Sequence, residues 1–213
     1  MRQIQTNSNG NNHSLMRLLI TILLATTLWT DSVLMDAYQR EDMSVWKGYV
    51  DSFQSSVVSH QALMYEYGYC GYIVAEAKKE GADEALMQEA KRRVAQFKKH
   101  VEEAKASLPT GHYEMYLSAV YVYELRVKES IHPLKAMSLA KEATKLAPED
   151  PVVLSYYGTC LFYAPKPFGS KEEALQWFER AKPYFETDDY RFHWMREANE
   201  MYIRQCLEKL KKN

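Results

Sequence analysis

Apolar positions in the second half of the chain recur with a helical period. Phe97, Val101, Ala104 and Leu108 are spaced +4, +3, +4, and the same spacing returns at Ala136, Ala140, Ala143 and Ala147 and at Ala174, Phe178, Ala181 and Phe185. Such spacing sets four side chains on one face of an α-helix. The three sets are offset by 39 and 38 residues, the interval of a structural repeat. Ala at these positions lets neighbouring helices approach closely, so the pattern predicts nested helices. Pro109 and Pro148 each fall five residues after an Ala of the stripe and stop their helices. The third stripe has Glu186 at that place, followed by Thr187-Asp188-Asp189, a cluster suited to capping one more helix.

An aromatic-rich helix precedes each stripe, predicted at about 59–79, 112–129 and 151–163. Gly68, Ser118 and Gly158 fall at corresponding small-residue places, and Tyr67-Gly68-Tyr69-Cys70 parallels Tyr157-Gly158-Thr159-Cys160. Breakers separate the helices of each pair: Gly81, Ile131-His132-Pro133, and Pro165-Lys166-Pro167-Phe168-Gly169. The predicted units span 59–109, 112–148 and 151–186. A leading helix is predicted over 42–56 and a final helix over 188–211. The final helix sets Met195, Ala198, Tyr202 and Cys206 on one face and Arg196, Glu197, Glu200, Arg204 and Glu208 on the other, as a terminal cap requires.

The third unit reads Leu154-x-x-Tyr157-Gly158-x-x-Leu161 and then Ala174-x-x-x-Phe178-x-x-Ala181, which resembles the tetratricopeptide repeat. The Ala143-to-Pro148 and Pro151 junction is similar to the boundary between two such repeats. The resemblance implies an all-α fold: a short, right-handed superhelix of three antiparallel helix pairs with flanking N-terminal and C-terminal capping helices. It also implies binding, with the first helix of each pair lining a concave surface. The chain departs from the family in the extra residues at Ala164–Ser170 and in Glu124 and Ala140, and its first unit matches least.

The N-terminus has a different pattern. Residues 1–15 are polar, and Met16-Arg17 leads into an apolar run from Leu18 to Trp29. A positive charge before a short apolar run is the layout of a secretory signal, and the run is short for a bilayer span. Thr30 and Ser32 suit cleavage after Ser32, and Met16 is an alternative start. The expected organisation is a leader over 1–32 and one helical domain over 33–213, exported to the periplasm or cell envelope. The leader and the Pro165–Gly169 insertion together look like a group of exported bacterial repeat proteins.

Charge narrows the partners. With 27 basic and 28 acidic residues the net charge is −1, which argues against nucleic acid or an anionic membrane surface. A membrane enters only through the leader, if it is uncleaved. Cys70, Cys160 and Cys206 are widely spaced within apolar helix pattern and read as buried thiols. His60, His100, His112, His132 and His193 are scattered without metal-ligand spacing, and no nucleophile, phosphate-loop or dinucleotide motif occurs. No catalytic residue, cofactor or metal is expected, and the chain is read as a non-enzyme.

Aromatic residues supply the candidate site. Tyr65, Tyr69 and Tyr72 are spaced +4, +3 on the first helix of unit one, with Tyr123 in unit two and Phe162 and Tyr163 in unit three nearby in register. Phe168 could extend over them from the insertion or plug the end of its hairpin. The rings either line a groove suited to peptides or ring-shaped ligands or fill space between Ala-lined helices. The main functional expectation is a protein- or peptide-binding module of the bacterial envelope that uses this concave groove. The alternative is a periplasmic small-molecule-binding component associated with a transporter, in which the flanking helices and the insertion close a compact pocket.

Overall fold

Local capping chemistry sets the helix starts in the computed structural model, which describes residues 33–34, 36–37, 40, 42–52, 59–127, 133–187 and 192–211. Among these are eight helices: α1 (Met43–Asp51), α2 (His60–Glu76), α3 (Glu84–Ala104), α4 (His112–Arg126), α5 (Pro133–Leu146), α6 (Pro151–Tyr163), α7 (Lys171–Phe185) and α8 (His193–Leu210). Asp42, Ser59, Asp83, Asp150 and Ser170 each accept a backbone N–H from the first turn of the helix that follows. Gly111 precedes α4 at φ +81, where a Cβ would lie 2.9 Å from the Ala143 carbonyl. The leader, residues 53–56 of the expected leading helix, the Ile131-His132 breaker and residues 188–191 lie outside the described residues. No described helix is long and apolar enough to cross a membrane.

The helices pack as sequential antiparallel pairs, α2 with α3, α4 with α5 and α6 with α7, and α8 packs against α7. The three stripes face inward as the spacing predicts. Phe97, Val101, Ala104, Ala136, Ala140, Ala143, Ala174, Phe178, Ala181 and Phe185 are buried, and Leu108 and Ala147 are half-buried at the stripe ends. Gly158 sits at the crossing of α6 on α7, where a Cβ would press on the Phe178 ring at 2.9 Å. Ser118 occupies the matching place on α4 and donates to the Ala136 carbonyl at 2.7 Å.

Gly68 departs from that pattern. A Cβ there would meet Trp46 of α1 at 2.6 Å and Trp194 of α8 at 3.1 Å. It faces the two end helices and not its partner α3, so the local match of Tyr67–Cys70 to Tyr157–Cys160 does not carry structural equivalence. The Trp46 and Trp194 rings meet edge to face at 5.3 Å over it. The end helices thus come together over α2 on the side where an open array would leave a groove.

One buried cation ties the first helix in place. Arg93 of α3 is fully buried, bonds Glu89 Oε1 through Nε at 2.8 Å and pairs with Asp51 at the end of α1. Its guanidinium also lies 5.3 Å from the centre of the Tyr69 ring.

Candidate functional site

The aromatic row named from the sequence divides in two. Tyr65, Tyr69, Tyr123 and Phe162 are buried, Tyr72 is half-buried, and Tyr163 and Phe168 are 56% and 55% exposed. Tyr65 is enclosed by Trp46, Tyr49 and Phe192. Tyr123 stacks on Tyr67 and donates its hydroxyl to the Tyr67 carbonyl at 3.1 Å. Tyr67 reaches Tyr116, Tyr156 and Trp194 as well, so rings from α2, α4, α6 and α8 meet around it. These rings fill the inner face. Sequence spacing missed Tyr67, Tyr156, Trp46 and Trp194, because helices buried on several sides give no single apolar stripe to read.

Tyr69 and Tyr72 border a surface cleft of about 300 Å³ with Met43, Lys47, Ile73 and Leu86. Its charged groups are already paired: Lys47 with Asp51 at 2.8 Å, and Glu89 with Arg92 and Arg93. Burial pushes the Tyr69 hydroxyl up to about 12, so it stays a neutral phenol in this wall.

A second cluster lies at the N-terminal ends of the first helices. His60 opens α2, His112 opens α4, and Asp150 caps α6. His60 Nε2 is 2.9 Å from His112 Nδ1, and His112 Nε2 is 2.9 Å from Asp150 Oδ2. Asp150 Oδ1 accepts the N–H groups of Val152 and Val153. Burial, and then the neighbouring His112, hold His60 down at about 4, so it is neutral near pH 7. Among the described residues no hydroxyl or thiol is bonded to either ring. The bonds of this relay join three helix starts.

The third cluster gathers at the other end of α4 and α6 and carries the exposed aromatic surface. Tyr163 closes α6, its hydroxyl 3.4 Å from that of Tyr202 on α8, and the Arg126 guanidinium lies 5.4 Å from its ring centre. Phe162 meets Tyr163 and Tyr202 edge to face at 5.0 and 5.3 Å. Lys171 and Lys209 both stand over the Phe162 ring, at 3.8 and 4.8 Å from its centre. Phe168 projects from the loop that leaves this end of α6. It does not plug the hairpin. The loop is seated instead by Gly169, where a Cβ would fall 2.4 Å from the Leu161 carbonyl. Arg126, Lys171, Tyr202 and Lys209 were not legible as site residues, since they converge from two helices and the start of a third.

No protein-family model matches the sequence, and no curated protein does. Among solved structures, the HusA haemophore from Porphyromonas gingivalis has a similar fold, with a TM-score of 0.51 over 87% of this chain and 93% of that one. Sequence identity is 14%, and at that level the likeness concerns the helical fold alone.

Proposed function

We propose that this chain is an exported, non-catalytic carrier of a flat aromatic small molecule of the tetrapyrrole class, held on the surface formed by Arg126, Tyr163 and Tyr202. The carrying observation is Tyr163: it is exposed beside the half-buried Tyr202 and under a guanidinium, while the adjoining Phe162 ring is buried. The exposed Tyr163 ring, next to the half-buried Tyr202 that stacks on Phe178, offers an aromatic contact with hydrogen-bonding edges, and adjacent cations suit the acidic side chains of such a macrocycle. The fold it shares with a haemophore supports the same reading. A peptide lying in the concave groove is less well supported, because Trp46, Tyr67 and Trp194 occupy that space.

Absorbance and tryptophan-fluorescence titration of the purified protein with ferric protoporphyrin tests this. The expected result is saturable one-to-one binding that Tyr163→Ala weakens by about tenfold, as loss of a central aromatic contact would, with unchanged helical circular dichroism. Unsaturable partitioning of equal strength in both proteins contradicts the reading.

A further inference from the structure

Cations on partly buried ground elsewhere in this protein are matched by acids. Lys98 meets Glu124 at 2.8 Å, and Arg93 meets both Asp51 and Glu89. The half-buried Arg126 and Lys171 are not, nor is the exposed Lys209 beside Lys171. None of the three has a carboxylate within ion-pair reach among the described residues. Glu172, an acid beside this group in the chain, is bonded to Ser170.

The lysine pair is the sharper anomaly. Two ammonium groups share the Phe162 ring, and their only oxygen acceptor among the described residues is the Phe162 carbonyl, which Lys171 uses. One carbonyl and one π face offset little of the repulsion between two like charges. Burial, and then Lys209, hold the Lys171 ammonium below its ordinary range, the mark of a cation lacking its counter-charge. Arg126 adds a third unmatched charge on the far partner of the same ring pair, through Tyr163.

We infer that this surface recognises a ligand bearing at least two carboxylates, one taken by the Lys171–Lys209 pair and one by Arg126, with the flat body of the ligand against Tyr163 and Tyr202. The cations then act as selectors among aromatic molecules, and the tyrosines supply contact area common to all of them. A lone anion such as phosphate would meet the lysine pair without using the aromatic face. This assignment rests on the reading of the surface as the ligand site and names the ligand's charge.

The test compares metal-free protoporphyrin IX, which has two carboxylates, with its dimethyl ester, using the intact protein and the variants Lys209→Gln and Arg126→Gln. The diacid is expected to bind about tenfold or more tightly than the diester, as a charge-assisted contact provides. Added salt should weaken the diacid alone. Each variant should narrow the gap between the two ligands by weakening the diacid more than the diester. Equal binding of diacid and diester, insensitive to salt, overturns the charge assignment and leaves the aromatic reading standing. Failure of both porphyrins to bind overturns both. Circular dichroism of Lys209→Gln, a change at an exposed position, guards against a loss that is only misfolding.

Discussion

Asp150, two first helices away from His60, orients the ring that lies between them. An ionised carboxylate can only accept, so His112 donates through Nε2. The two rings meet through His60 Nε2 and His112 Nδ1 at 2.9 Å. The consequence for stability has a definite sign. His60 is held at about 4 in the folded protein against 6.5 in a free chain. As pH falls through 6.5 the unfolded chain takes up the proton first, so the stabilisation is complete above 6.5 and drains away toward 4. The shift sets its size at about 3 kcal/mol. Urea unfolding between pH 7 and 4.5 should show His60→Gln losing less stability than the parent protein; equally steep losses would count against the relay. His100 runs the other way: its bond to Glu66 raises it, so its contribution is present at low pH and lost as pH rises past its ordinary value. No sequence spacing signals either pair, since His60 and His112 lie 52 residues apart and His112 and Asp150 lie 38 apart. Only the stacking of three helix starts brings them together.

At the scale of the element, the second helices were legible and the first helices were not. Helices α3, α5 and α7 bury one stripe each, and the +4, +3, +4 spacing of Phe, Val and Ala reports it directly. Helix α6 buries Val152, Val153, Leu154, Tyr156, Tyr157, Leu161 and Phe162, which spread around its circumference. A helix surrounded by neighbours carries no face preference in its sequence, so the tyrosines of α2 and α4 could be placed on helices but not assigned to groove or core. Gly68 shows the same limit, since only the approach of Trp46 and Trp194 reveals which way it faces. That closure makes α8 more than a solubilising cap. Trp194→Ala is expected to destabilise the fold by about 3 to 4 kcal/mol, the usual effect of truncating a buried large aromatic, and to raise binding of an apolar fluorescent dye. A change under about 1 kcal/mol with no added dye binding would mean that the end helices do not close the inner face together.

For the whole molecule, repeat physics and the use made of it diverge. An array of helix pairs ordinarily exposes the inner faces of its first helices. Here α1 and α8 turn over that face and its rings pack on one another, which accounts for much of the tyrosine content and removes the open groove that the repeat resemblance implies. Chemistry that remains outward collects where α4 and α6 end, near the insertion that sets this chain apart from regular repeats. The insertion was visible in the sequence as Pro165–Gly169. Its neighbours Arg126, Tyr202 and Lys209 could not be found without the stack, because they lie 37 or more residues from Tyr163 in sequence. Amide chemical-shift mapping during titration with metal-free protoporphyrin tests this assignment most directly. Shifts concentrated at Arg126, Tyr163, Lys171, Tyr202 and Lys209 are the predicted result; shifts centred on the Tyr69–Tyr72 cleft, or on the His60 relay, would contradict it.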